Sequence, residues 1–258
     1  MRDNFEELKN MVYSGRGLTV GMTPGGSPFI GSSLTGRRPS SQAREYVPGK
    51  DGVIKTSATN KEQLEKGSPA LLIYSVLARC GNDILIGSNG AQTDLLYFAA
   101  EKFSHPQTIL NGAFRNPVDV YDEKGDGQID ITAPEPDDYN TPRINAVVNA
   151  EDAALSTIFK GAGGLIHNKA YPIKLEPGRS RIITTYRGDN SEPLKPFIES
   201  PLEASITSLD SKGIAESIYG AIFGGQKEGD NYRVAAAVMM LKDGGLETSI
   251  LNRSTRGN

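Results

Sequence analysis

Cysteine and histidine are nearly missing from this chain: one Cys (Cys80) and two His (His105 and His167) in 258 residues. A single Cys excludes an intramolecular disulfide, a Cys-x-x-Cys pair and a thiolate zinc cluster, so nothing here requires an oxidising compartment and a cytoplasmic location is expected. Two distant imidazoles argue against His-His-carboxylate metal centres, zinc hydrolases, multi-His proton relays and a Ser-His-Asp triad. No apolar run approaches the roughly 20 residues that span a bilayer. The N-terminus, Met1-Arg2-Asp3-Asn4-Phe5, lacks the apolar stretch of a secretory signal. Net charge is −3 and the pI about 5.6, which gives no general basic field for nucleic acid. A P-loop is absent too, and Gly161-Ala162-Gly163-Gly164-Leu165-Ile166 fails as a dinucleotide fingerprint because Ile166 stands where the third Gly belongs. Catalysis by this chain would rest on Arg, Lys, Tyr, Asp, Glu, Ser, Thr or Asn.

What is present is glycine, 29 residues of it, above the roughly 7% of average usage, with 15 prolines. Many tight turns are implied. Residues 3–12 space Phe5, Leu8, Met11 and Val12 as on a short helix behind Asp3 as cap. Residues 17–21 and 27–32 read as a hairpin about Thr23-Pro24-Gly25-Gly26, and residues 71–78 and 84–87 as a second about Gly81-Asn82-Asp83. A helix is predicted over 92–103, with Leu95, Leu96, Ala99 and Phe103 on its apolar face. The polar piece 121–128 suggests a calcium loop, but Lys124 and Ala133 stand where oxygen ligands belong, so a hairpin turn is preferred. Residues 143–149, 154–160, 170–175 and 180–186 are spaced like strands of one antiparallel sheet. Residues 188–205, with three prolines, read as loop, 211–223 as helix, and 234–241 with 246–251 as a closing hairpin. The tail from 252 is expected to fray. No strand-helix-strand alternation and no linker is visible, so an α+β fold of antiparallel sheets in a single domain, 1–258, is expected.

Four segments gather hydrogen-bonding side chains among glycines and prolines at strand ends. They are Tyr13-Ser14-Gly15-Arg16-Gly17; Thr35-Gly36-Arg37-Arg38-Pro39-Ser40-Ser41-Gln42-Ala43-Arg44; Ser88-Asn89-Gly90-Ala91-Gln92-Thr93-Asp94; and Glu135-Pro136-Asp137-Asp138-Tyr139-Asn140-Thr141-Pro142-Arg143. Guanidinium forks beside backbone amides and hydroxyls suit a phosphate, since paired N–H donors match two phosphate oxygens. The competing reading for each segment is structural: solvated basic turns, a helix N-terminus at 93–94, a core position for Tyr74, or an Arg143–Asp94 pair.

Taken together, these segments resemble the archaeal-type IMP cyclohydrolase family. The resemblance runs through Tyr13-x-Gly15-Arg16, Val20-Gly21-x-Thr23, Arg37 and Ser88-Asn89-Gly90-x-x-Thr93-Asp94. It continues at Asp137-Asp138-Tyr139-x-Thr141-Pro142-Arg143-Ile144 and closes at Ala235-Ala236-Ala237-Val238 with Lys242-Asp243-Gly244, in order along almost the whole chain. Relative to compact members, extra length would fall in the N-terminal helix, in 114–133 and in 188–205.

The resemblance implies a four-layer αββα sandwich like that of the N-terminal nucleophile hydrolases, used without the N-terminal nucleophile; Arg2 after Met1 agrees. It implies the closure of 5-formamidoimidazole-4-carboxamide ribotide to inosine monophosphate and water, in the cyclic-amidine hydrolase class, with no metal and no redox cofactor. The partner would be this small purine ribotide, not nucleic acid or membrane, and the protein a homo-oligomer.

Such chemistry needs a phosphate anchor, for which Arg16, Arg37 and Arg44 are candidates. It needs donors to the formyl oxygen, which Arg, with Arg37 the candidate, or a Tyr hydroxyl can supply, and an acid/base pair, for which the resemblance points to Tyr74 and Glu135. Asn89, Thr93, Asp94, Asp137, Tyr139, Asn140, Thr141 and Arg143 would bind the base and ribose or brace the loop. Gln42 stands where family members tend to carry a further Arg, a departure that bears on the phosphate anchor. Hydrolysis of another amide or nucleotide-like substrate, and a non-catalytic nucleotide-binding relative, stay open alternatives.

Overall fold

The computed structural model describes residues 3–81, 83–121, 128–223, 230–242 and 245–253. In chain order come α1 (Glu6–Lys9), β1 (Arg16–Met22), β2 (Pro28–Thr35), α2 (Pro39–Gln42), β3 (Arg44–Pro48), β4 (Val53–Ala58), α3 (Lys61–Leu64) and α4 (Pro69–Leu72). Then follow β5 (Ser75–Cys80), β6 (Ile84–Ser88), α5 (Thr93–Ala100), α6 (Pro106–Ala113), β7 (Asp119–Tyr121), β8 (Gln128–Asp130), β9 (Arg143–Val148) and β10 (Asp152–Lys160). The last are β11 (Ile166–Lys174), β12 (Arg179–Thr184), β13 (Leu202–Ser205), α7 (Ser211–Ala221), β14 (Arg233–Lys242) and β15 (Gly245–Asn252). This is a mixed α and β fold with antiparallel sheets. One sheet has six strands in the order β13-β12-β1-β2-β14-β15, another seven in the order β11-β10-β9-β6-β5-β4-β3, and β7-β8 form a small pair.

Side-chain alternation explains where the core lies, because neighbouring residues of a strand face opposite ways. Ile30 of β2 joins Leu18, Val20 and Leu34 against Leu77, Leu85, Ile144 and Leu155 of the larger sheet, whereas Phe29 beside it packs with Ile214, Ala215 and Ile218 of α7. In the same way Ala146 and Val148 of β9 face the six-stranded sheet, while Val147 meets Leu96, Ile109 and Leu110 of α5 and α6. Strands β2, β9 and β14 are therefore apolar on both faces. Each fully buried Leu or Ile contributes about 1.5–3 kcal/mol of transfer free energy.

The hairpins at β1–β2, β5–β6 and β14–β15 form as the sequence predicts, and 161–164 is a turn. The turn residue Asn82 of the second hairpin, 243–244 of the closing one, the calcium-loop residues 122–127 and tail residues 254–258 lie outside the described residues. Asn252, expected to fray with that tail, instead ends β15, its Oδ1 accepting from Tyr46 N (2.9 Å) and its Nδ2 donating to Tyr46 O (2.8 Å).

Several expectations are corrected. Helix α1 is one turn long and Asp3 is not its cap, since Asp3 instead accepts from Thr207 N (2.7 Å), Ser208 N (2.8 Å) and Ser208 Oγ (2.8 Å). Leu71 and Leu72 belong to α4, started by Pro69, and not to a strand. Helix α5 stops at Ala100 and buries Leu96, Ala99 and Ala100, leaving Phe103 exposed. Strand β12 is not in the sheet of β9–β11. After β11 the chain turns through Leu175 to Gly178, and β12 pairs with β1 and β13 of the six-stranded sheet. Within the proline-rich loop, 202–205 is strand β13, paired with β12. Among the described residues no helix is long and apolar enough to cross a membrane.

Candidate active site

Strand polarity brings one set of ends together. Arg16 opens β1 opposite Leu34, near the end of β2, and Gly17 faces Thr184, the last residue of β12. In the other sheet Ser88 ends β6 opposite Asn145, two residues into β9. A bond from Arg16 Nη1 to the Asn89 carbonyl (2.8 Å) ties these strand ends of the two sheets together. Beside it lies a cavity of about 160 Å³.

At its floor Arg16 meets Glu135 in a two-pronged pair, Nη1 to Oε1 at 2.7 Å and Nη2 to Oε2 at 3.0 Å. Arg143 Nη1 stands 3.6 Å from the same Oε1, so one carboxylate lies between two guanidinium groups. Burial works against the charged form of Arg16. The adjoining Glu135, and to a lesser degree Tyr74, outweigh it and hold Arg16 well above its ordinary value. Arg143 is 1% exposed and its pKa is lowered, first by burial and further by Arg16, with Glu135 opposing. Its Nε donates to Ala133 O (2.7 Å) and Nη1 to Gln92 Oε1 (3.1 Å), while Nη2 has no hydrogen-bond partner among the described residues. Gly90 makes room for this packing, since a Cβ there would stand 2.6 Å from both Arg143 Nη1 and Gln92 Oε1.

The cavity wall carries the guanidinium groups of Arg16, Arg37, Arg38 and Arg44 against the carboxylates of Glu135 and Asp137. Among the lining residues guanidinium groups outnumber carboxylates, and Asp138 pairs with Arg38 from outside the lining (3.2 Å). Arg37 lies over the Tyr13 ring (4.9 Å) and donates to Asn190 Oδ1 (2.9 Å), Tyr139 OH (3.3 Å) and Glu192 (2.9 Å). Arg44 is buried and spends Nε on Ser41 O (3.0 Å). The 135–142 loop is folded on itself. Glu135 N donates to Thr141 O, and Asp137 Oδ1 accepts from Tyr139 N (3.2 Å) and Thr141 N (2.8 Å). Gly15 approaches this wall at φ +72°, and a Cβ there would collide with Thr185 Oγ1 and the Tyr186 ring.

Arg16, Arg37, Arg44, Glu135, Asp137, Tyr139 and Thr141 thus line one cavity; other candidates stand apart. Asn89 uses its side chain as a brace, Nδ2 to Pro142 O (2.8 Å) and Oδ1 from Ile144 N (2.9 Å) and Gln92 Nε2 (2.8 Å). Thr93 bonds Ser88 Oγ (2.5 Å) at the start of α5, and Asp94 is exposed on that helix. Asn140 sits at φ +47° in the loop turn and accepts from Lys160 Nζ (3.2 Å). Tyr74 precedes β5 and is buried in the core between the sheets, near enough to Arg16 to act on its charge. Gln42 is turned to Gly36 O (2.8 Å) and Arg253 Nη2 (3.3 Å).

Comparison with known proteins identifies the family. A family model described as IMP cyclohydrolase-like protein matches residues 13–119 and 128–245. The chain belongs to the IMP cyclohydrolase-like family. Among its relatives, a protein of Methanococcus maripaludis strain C6 named IMP cyclohydrolase is 24% identical over 233 residues, which is 90% of this chain and 97% of that one. One of Methanococcus aeolicus with the same name is 24% identical over 224 residues, 77% of this chain and 96% of that one. The family match spans every cavity residue named above.

Tyr186, Asn190 and Glu192 contribute to the site or its surroundings but carry no pattern that singles them out in sequence, whereas Gln92 lies within the polar 88–94 segment, which gives it no particular role. The one signal for Tyr186 is the polar run Thr184-Thr185-Tyr186 closing an apolar strand, the same kind of strand end that marks Arg16 and Ser88.

Proposed function

We propose that this protein is an IMP cyclohydrolase, closing 5-formamidoimidazole-4-carboxamide ribotide to inosine monophosphate with loss of water in purine biosynthesis. The observation that carries the reading is a family-matched cavity whose walls hold four guanidinium groups and only two carboxylates. Glu192 and Asp138 pair with Arg37 and Arg38 from outside the lining, and Glu135 with Arg16. Arg44 is thus the guanidinium of the wall bonded only to backbone carbonyls among the described residues, and a phosphorylated substrate supplies it with an anion. The two reacting groups sit on the same molecule, so a site that folds them together removes much of the barrier by orientation alone. In this reading Arg37 and Arg44 grip the phosphate or the forming oxyanion, and Arg16, held charged by Glu135, turns its donors to the formyl oxygen. Glu135, in the cavity wall, serves the acid/base demands of water loss, and Tyr74, buried behind Arg16, acts on the site through that guanidinium. Asp137, Tyr139, Thr141 and Arg143 shape the base and ribose subsite, while Asn89, Thr93, Asp94 and Asn140 support it from behind.

The same reading takes the chain as one domain with insertions at 114–133 and 188–205. The cluster between the two sheets and the two that pack helices on their outer faces support a four-layer αββα sandwich like that of the N-terminal nucleophile hydrolases. A cytoplasmic homo-oligomer goes with it, and light scattering of the purified protein gives its mass. Incubation with the formamido ribotide should yield inosine monophosphate, followed by its ultraviolet absorbance. A protein that binds inosine monophosphate but forms none from the ribotide is a binding relative, and one that instead cleaves the formyl group is an amide hydrolase.

A further inference from the structure

Three side chains in the cavity wall form a hydrogen-bonded row: Tyr186, to which the roles above give no part, and Thr141 and Asp137, which those roles place in the subsite wall only. Tyr186 OH lies 2.6 Å from Thr141 Oγ1, which lies 2.5 Å from Asp137 Oδ2. All three line the cavity, and Tyr186 and Thr141 are 6% and 1% exposed. The direction of the row follows from counting protons. An ionised carboxylate only accepts, and a threonine hydroxyl has one hydrogen, so Thr141 donates to Asp137 and must accept from Tyr186. The phenol hydrogen therefore points along the row, and the remaining lone pair of the phenol oxygen is left to accept.

The ring cannot swing away. It stacks on Tyr13 (centroids 5.7 Å), meets Tyr139 edge-on (6.5 Å), and its backbone N–H is bonded to Ser14 O (3.2 Å). Burial pushes the Tyr186 phenol above its ordinary value, against the pull of Arg16 and Thr141, so the ring stays neutral and passes on a proton only as it receives one.

We propose that Tyr186, Thr141 and Asp137 form a proton relay that acts as general base in the ring closure. This rests on the cyclohydrolase reading. The carboxamide N–H proton passes to the Tyr186 oxygen as the phenol proton moves to Thr141 and the threonine proton to Asp137. The freed nitrogen pair forms the bond to the formyl carbon, and the C=O π pair moves onto oxygen, held there by arginine. Asp137 has become a neutral acid and the negative charge has moved to the oxyanion. The proton returns along the same row to that oxygen, giving the neutral carbinolamine and restoring the carboxylate; loss of water follows as a separate step. Tyr186 is the catalytic residue, touching substrate, and Thr141 and Asp137 act through it.

The test uses the full chain with Tyr186→Phe, Thr141→Val and Thr141→Ser, measuring kcat and KM for the ribotide. General-base catalysis contributes roughly 10²–10⁴-fold, so Tyr186→Phe and Thr141→Val should each lower kcat about 100-fold with KM little changed, and Thr141→Ser should recover most of the rate. A wild-type proton inventory in water and heavy-water mixtures should bow, as several protons move together, and straighten in Tyr186→Phe. Inosine monophosphate binding by calorimetry shows whether the pocket of each variant is intact. If Tyr186→Phe fails to fold, the contrast between Thr141→Val and Thr141→Ser decides. Wild-type turnover with an unimpaired Tyr186→Phe, or a Thr141→Ser as slow as Thr141→Val, overturns the relay alone. Absence of wild-type turnover overturns the cyclohydrolase reading itself.

Discussion

At the scale of single residues the site is organised by a carboxylate with two cationic neighbours. Glu135 is 3% exposed, and both its oxygens are bonded by Arg16. Removing one partner of such a buried group strands the other charge, which typically costs 3–5 kcal/mol. Glu135→Gln leaves Arg16 and Arg143 facing one another, so a loss of about 3 kcal/mol in urea unfolding is expected together with a fall in kcat. Retention of full stability would mean the pair contributes little. Arg37 is held at the cavity mouth by Glu192, whose side chain is 62% exposed. An exposed pair is worth about 0.2–1 kcal/mol, so Glu192→Gln should release Arg37 for the anion and lower KM by up to about fivefold. Arg37→Ala should raise KM by more than that. Arg16 and Arg37 were legible as polar, Gly-flanked positions at strand ends and Glu135 as the start of a polar, proline-pinned loop, whereas Glu192 carried no such pattern. Arg16 and Glu135 are 119 positions apart, and no local pattern announces their pairing.

Elements show where local pattern and tertiary contact compete. Helix α7 follows its sequence closely, since Asp210 caps it by accepting from Gly213 N at 2.7 Å and Ile214, Ala215 and Ile218 fall on one buried face. Asp210→Ala should cost about 1 kcal/mol in thermal or urea unfolding. Its N-terminus is further tied to the closing hairpin, where Glu247 accepts from Ser211 N (2.6 Å) and Lys242 Nζ (2.8 Å). Lys242, first, and the Ser211 N–H hold the Glu247 carboxyl down at about 2, below its ordinary 4.5. A depressed carboxyl stabilises the fold above its unfolded pKa and loses that contribution as pH falls through the folded one. Stability attributable to Glu247 should thus be complete above pH 4.5 and fade toward pH 2, and Glu247→Gln should remove that part of an acid unfolding profile. In α1 the local signal loses. Asp3 would cap a helix, but four donors from Thr207 and Ser208 are bound by it instead, and the helix shrinks to one turn.

Across the whole molecule, the two sheets place their polar strand ends at one edge and leave the apolar middles to fill the core. A ligand that adds negative charge there should stabilise the folded chain by mass action. Inosine monophosphate at 100 times its Kd should contribute about 2.7 kcal/mol, visible as a rise in Tm that Arg37→Ala diminishes. No such rise at any concentration would remove the anion-site reading.

Local pattern along the chain carries the alternation that makes strands, the Gly and Pro turns that end them, the 211–223 helix, and the set of arginines, tyrosines and acids at strand ends. These are local properties, fixed by backbone sterics and by side chains a few positions apart. Only the tertiary structure decided that β12 leaves the sheet of β9–β11 and that Glu135 meets Arg16 and Arg143. It likewise made Asn89 a brace, and set Tyr186 in line with Thr141 and Asp137. Those outcomes depend on satisfying buried polar groups and packing two sheets face to face. Both conditions involve residues far apart in the chain, so no window along the sequence contains them.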